Sequence, residues 1–103
     1  MTWLNYELQN PESPEEILSI LLKFKKLAVE GHWPGLKITQ KNKEIWVDLQ
    51  NEARWFVSLT IGKRKMVNFY FQHETDPAEI TAFAFMLLKA DKVLIGERRI
   101  WNQ

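Results

Sequence analysis

Between residues 36 and 72 the chain reads LKITQKNKEIWVDLQNEARWFVSLTIGKRKMVNFYFQ, and its apolar residues recur at every second position. Leu36 and Ile38 alternate toward Gln40, followed by Ile45, Val47 and Leu49. Trp55, Val57, Leu59 and Ile61 repeat the pattern, and Val67, Phe69 and Phe71 close it. A period of two over short runs rich in β-branched and aromatic residues is the pattern of half-buried strands. Four strands are therefore predicted. A tight loop at Asn42-Lys43 sets the first pair in register and places Asp48 opposite Lys37. Gly62-Lys63-Arg64 closes the last hairpin, because a two-residue loop there turns Asn68 inward. The simplest topology is a four-stranded antiparallel meander.

Outward from this block the period changes to that of helices. Ser13-Pro14-Glu15-Glu16 supplies a cap, a proline suited to the first helical position and the acid of a capping box. Ile17, Leu18, Ile20, Leu21, Leu22, Phe24, Leu27 and Ala28 then form a broad apolar stripe. Gly31 is the natural residue after the helix end, and His32-Trp33-Pro34-Gly35 reads as a turn. Asp76-Pro77-Ala78-Glu79 repeats the cap, proline and acid and opens a second helix, with Ile80, Phe83, Ala84, Leu87 and Leu88 on its core face. Residues 3–8 and the tail from Val93 to Trp101 have the composition of further short strands. The predicted fold class is α+β, with two helices packed on one face of the meander.

Length and composition bound the rest. A chain of 103 residues makes one domain, 1–103, and 46% hydrophobic residues can build its core without metal or disulfide. Cysteine is absent, which excludes disulfides, thiolate nucleophiles and cysteine zinc sites. The start of the chain lacks the basic and apolar stretches of a signal peptide, and the longest apolar run, Ile80 to Leu88, is too short for a bilayer. The expectation is a soluble cytoplasmic protein with no membrane partner. Charge is uneven along the chain: residues 1–22 hold four acids and no base, whereas residues 23–73 hold ten bases against four acids. Only that central segment has the excess of a nucleic-acid module.

No catalytic constellation is visible. The chain has no glycine-rich phosphate loop, nucleophile elbow or His-Glu-x-x-His helix. His32 reads as a helix-end or packing residue. His73, Glu74 and Asp76 read as a strand end running into a helix cap, in a spacing that matches no metal-ligand motif. No cofactor, no metal and no enzymatic activity are expected.

The informative residues are those the helices do not need. With Val57, Leu59, Val67 and Phe69 facing the helices, Trp46, Asp48, Arg54, Phe56, Asn68, Tyr70 and Gln72 face away. Phe56 then meets Tyr70, and Trp46 lies opposite Thr39 and Ser58. Large aromatics mixed with amides, hydroxyls and opposite charges have the texture of a protein interface. The competing reading is a lid over this face, from the N-terminal segment with Trp3 and Tyr6 or from the tail with Ile100 and Trp101. At the hairpin tips Lys41, Lys43, Lys63, Arg64 and Lys65 converge. They form either an anion-binding rim or a patch offset by Glu12, Glu15 and Glu16 at the start of the first helix.

The strands Glu44-Ile45-Trp46-Val47-Asp48-Leu49 and Arg54-Trp55-Phe56-Val57-Ser58-Leu59, in a small α+β chain without cysteine, resemble the small immunity proteins encoded beside bacterial toxins, such as those of contact-dependent inhibition systems. The resemblance implies a bacterial cytoplasmic antitoxin that binds its cognate toxin domain, a nuclease, and covers the toxin's active site. The alternative function is a single-stranded nucleic-acid binder, with Trp46, Phe56 and Tyr70 as a stacking platform and the basic tips on phosphates. A homodimer packed through the sheet is a third arrangement beside the monomer.

Overall fold

The computed structural model describes residues 2–50 and 54–90. The elements run β1 (Thr2–Gln9), α1 (Pro14–Val29), β2 (His32–Gln40), β3 (Lys43–Gln50), β4 (Arg54–Ile61), β5 (Arg64–Gln72) and α2 (Pro77–Lys89). The strands form one sheet in the order β1-β2-β3-β4-β5. β2 to β5 are the antiparallel meander, but β1 adds a fifth strand, parallel to β2. The α+β class holds, and the all-antiparallel, four-stranded description does not. A parallel neighbour requires a crossover, and α1 supplies it, which also lays that helix on the sheet. The strands expected in the tail lie outside the described residues.

Both helices start as their sequences dictate. Ser13 and Glu16 complete a capping box around Pro14, and the Asp76 carboxylate accepts from the Ala78 N–H at 2.9 Å. Gly31 ends α1 with φ of 93°, in the left-handed region where glycine carries no Cβ penalty. Beyond it, His32 to Gly35 is not a turn but the start of β2. Pro34 is accommodated because β2 pairs there only with β1; pairing with β3 begins at Gly35.

Two register details differ from expectation. The β2–β3 loop is Lys41-Asn42, with Gln40 opposite Lys43, so Lys37 faces Trp46 and Asp48 faces Gly35. This register is slipped by two residues from the expected one. A two-residue slip keeps every side chain on its face, which is why alternation alone does not detect it. At the last hairpin the loop is the two-residue Gly62-Lys63, with Ile61 opposite Arg64. Leu59 pairs with Val67 and Thr60 with Lys65, so a bulge at residue 66 absorbs the extra position and keeps Asn68 outward. The two loops meet where the Gly62 N–H donates to the Asn42 carbonyl at 2.8 Å.

The core lies between the sheet and the two helices. Ile17, Leu21, Phe24 and Ala28 of α1 and Ile80, Ala84, Leu87 and Leu88 of α2 close over Leu36, Ile38, Ile45, Val47, Leu49, Trp55, Val57, Leu59 and Val67. α1 rests on β2 and β3, α2 on β3 and β4, and the helices touch each other. Trp55 is fully buried and stacks on Phe24 with centroids 6.3 Å apart. Phe69 faces the helices as expected, and is half-buried in a cluster with Phe71 and Phe83. α2 is held at its far end by Lys43, a residue expected in the basic rim. The Lys43 ammonium donates to the carbonyls of Leu87, Leu88 and Ala90 at 2.8, 3.1 and 2.6 Å. A cation at a helix C-terminus satisfies carbonyls that have no intrahelical donor.

Trp55→Ala is expected to cost about 3–5 kcal/mol and Phe69→Ala less, about 2–3 kcal/mol, by urea denaturation. Lys43→Met is expected to cost about 1–2 kcal/mol through the lost carbonyl bonds. A Lys43→Met variant as stable as the parent would show that the cap contributes nothing.

Candidate protein-binding face

One face of the sheet carries no helix among the described residues, and the register assembles its side chains into rows. Asn5, Gly35, Asp48, Phe56 and Tyr70 form one row that crosses all five strands. Glu7, Lys37, Trp46, Ser58 and Asn68 form the next. Trp3 pairs with Trp33 at one end, and Arg54 faces Gln72 at the β5 side. Every strand thus contributes one aromatic: Trp3, Trp33, Trp46, Phe56 and Tyr70.

These aromatics are fixed by neighbours on the same face. Trp3 and Trp33 meet edge to face, with centroids 4.5 Å apart and planes at 83°. Phe56 and Tyr70 are 5.0 Å apart, and the Arg54 guanidinium lies 4.0 Å from the Tyr70 ring centroid. The Trp46 indole N–H donates to the Glu44 carboxylate. The Lys37 ammonium sits 4.0 Å from that carboxylate and 5.8 Å from the Trp46 ring centroid. Trp3 is nevertheless 60% exposed and Tyr70 50% exposed, far above the usual state of large rings.

Asp48 is the exception among these groups. It makes no hydrogen bond or ion pair with any described residue, although two cations stand diagonally beside it across the strands. Lys37 turns to Glu44 and Arg54 turns to Tyr70. The carboxylate instead leans over Gly35, where an added Cβ would come within 2.5 Å of its Oδ1. Burial pushes the Asp48 carboxyl up from its ordinary 3.8 to about 6. The cause is desolvation, which disfavours the charged form.

The seven residues expected on this face, Trp46, Asp48, Arg54, Phe56, Asn68, Tyr70 and Gln72, all share it. Opposite Trp46 on β2 is Lys37 rather than Thr39; Ser58 is its β4 partner as expected. The N-terminal segment is not a lid: β1 is paired in the plane of the sheet, with Trp3 on the open face and Tyr6 against Phe24 in the core. A tail lid involving Ile100 and Trp101 lies outside the described residues. Trp3 and Trp33 join the face in addition to the residues expected there. The signal was available in the spacing of Trp33, Gly35 and Lys37, which alternates with Pro34, Leu36 and Ile38.

The basic rim comes together only in part. Lys41, Lys63, Arg64 and Lys65 are exposed at the joined hairpin tips, while Lys43 points away to cap α2. His32 opens β2, and among the described residues its Nδ1 is buried without a partner, as is Nε2 of His73. Among the described residues no cluster of His, Asp and Glu could hold a metal ion. No described helix is long and apolar enough to cross a membrane. Comparison with models of protein families, with curated proteins and with solved structures found no match.

The raised carboxyl gives a signed expectation for stability. Between about 4 and 6 the native chain holds the Asp48 proton more tightly than the unfolded chain, so this group's contribution falls as pH rises through that window and levels off above it. Asp48→Asn removes the decline. A complete shift of this size is worth roughly 3 kcal/mol, and solvent contact reduces it, so a gain of about 1–2 kcal/mol at pH 7.5 is expected. Urea denaturation of parent and variant at pH 4.5 and 7.5 checks it; a gain that is equal at both values would contradict the assignment.

Proposed function

We propose that this protein is a non-catalytic inhibitor that binds a larger protein through the open sheet face. In kind it is an immunity protein, which neutralises a cognate bacterial toxin domain in the cytoplasm; a nuclease is the target that the resemblance implies. The observation that carries the reading is the face itself, five aromatics on five strands with polar groups between them and, at the centre, a carboxylate unpaired among the described residues. Hot spots of protein interfaces are enriched in Trp, Tyr and Arg placed centrally, and this face supplies all three. Five strands at about 4.8 Å and seven residues at about 3.3 Å give a footprint on the order of 550 Å². A standard interface takes about 800 Å² per partner, so the hairpin tips with Lys41, Lys63, Arg64 and Lys65 belong to the rim of the contact.

The exposed, joined tips also favour a second reading, in which single-stranded nucleic acid lies on the face with its phosphates at the basic end. Asp48 and Glu44 weigh against it, because a phosphate backbone crossing the face passes two carboxylates. The two readings separate by salt, since phosphate contacts release counterions and weaken steeply as salt rises.

The test is capture from native cytosol on immobilised parent protein, beside folded Trp46→Ala and Tyr70→Ala variants, at low and high salt. One stoichiometric protein held by the parent through high salt and at least about 30-fold more weakly by both variants is expected, a loss of about 2 kcal/mol. Nucleic acid recovered only at low salt would replace this reading with the second. Unfolded variants would show instead that the face is lidded core.

A further inference from the structure

We infer that Asp48 is the seat for an arginine side chain of the docking partner, which enters the open face above Gly35 between Trp33, Trp46 and Phe56. The inference rests on the docking-face reading and adds the chemistry that the partner must present. Four observations lead to it. The carboxylate lies at the middle of the five-strand row, with Phe56 directly across from it on β4 and Trp46 two positions away on β3. It has no counterion among the described residues, although the ammonium of Lys37 and the guanidinium of Arg54 each stand one diagonal step away and are engaged elsewhere. The residue beneath it is glycine, and any Cβ there would displace the carboxylate from its position. Trp33 lies two positions along β2 from Gly35 on the same face, and its indole Nε1 is buried without an acceptor among the described residues.

A half-buried carboxylate left unpaired in the free protein costs stability, and a partner cation recovers that cost on binding. Among cations, arginine fits best. Its planar guanidinium can give two parallel hydrogen bonds to a carboxylate while its faces stack on aromatic rings, and a lysine ammonium can do only the first as a point charge. The same face already shows the stacking mode, in Arg54 on Tyr70 at 4.0 Å. A partner acid in this position would set two carboxylates together, and the groups that could offset it, Lys37 and Arg54, are committed to Glu44 and Tyr70. The surface therefore selects a basic protrusion.

The probe is N-acetylarginine amide, titrated into the isotopically labelled full chain and followed by amide and indole resonances. N-acetylcitrulline amide, of nearly the same shape but neutral, is the control. Saturable shifts are expected at Gly35, Asp48 and Phe56 and at the indole N–H of Trp33 and Trp46. Citrulline is expected to bind about ten-fold more weakly, equivalent to roughly 1.4 kcal/mol. Asp48→Asn should lose the same ten-fold, and Gly35→Ala should weaken binding by moving the carboxylate, while Lys23→Gln, exposed on α1 at the other side of the molecule, leaves it unchanged. No saturable shift, equal binding of citrulline, or arginine binding unaltered in Asp48→Asn would overturn the seat. Such a failure is distinct from failure of the docking face, which would appear as undiminished capture of the partner by Trp46→Ala and Tyr70→Ala.

Discussion

The β2–β3 register, which sets Asp48 opposite Gly35, is the constraint on which the arrangement of this face depends. Asp48 lies opposite Gly35 in the β2–β3 register, and a Cβ there would push its carboxylate off the position it holds. That contact agrees with the short Lys41-Asn42 loop, whose Lys41 takes φ of 55°, a left-handed conformation that non-glycine residues adopt at a cost. From the β2–β3 register follow the rows that bring Trp46 beside Lys37 and Asp48 beside Phe56. β1 then extends the rows, since its parallel pairing sets Trp3 against Trp33 and Asn5 against Gly35.

The two faces of the sheet are built on opposite terms. The helix-covered face is apolar at its centre, where Trp55 and Phe24 stack, with Lys43 at its edge capping α2, and it supplies most of the stability. The other face keeps rings that leave half or more of Trp3 and Tyr70 exposed, and a desolvated carboxylate that opposes the stability of the free chain. Local features that oppose stability without an evident structural gain are expected at functional sites. Asp48 fits that pattern better than any other titratable group described, because its neighbours have the means to neutralise it and do not.

Much of this was legible in the sequence, and the failures share a cause. Period-two alternation gave the four antiparallel strands and their two faces, so the residues from Trp46 to Gln72 were assigned to the correct side. Alternation carries no information on slips of two residues, so Asp48 was paired with Lys37 instead of Gly35. The bulge at residue 66 was hidden for a related reason: a two-residue loop plus one extra residue gives the same alternation as a three-residue loop. Pro34 made His32 to Gly35 read as a turn, and this concealed Trp33 and the β1 partnership that depends on the same segment. Lys43 was grouped with the other hairpin bases because its partners, the last carbonyls of α2, lie more than forty positions away in sequence.

The central claim is that the open sheet face, and not the helical side, is what a partner covers. Hydroxyl-radical footprinting of the captured complex addresses it directly, because each side carries reactive, exposed residues of similar accessibility. Trp3 and Tyr70 are 60% and 50% exposed on the sheet face, and Leu22 and Met86 are 57% and 49% exposed on the helices. The account predicts that partner binding protects Trp3 and Tyr70 and leaves Leu22 and Met86 as reactive as in the free protein. Protection of Leu22 and Met86 with Trp3 and Tyr70 unchanged would contradict it and move the binding surface to the opposite side of the molecule.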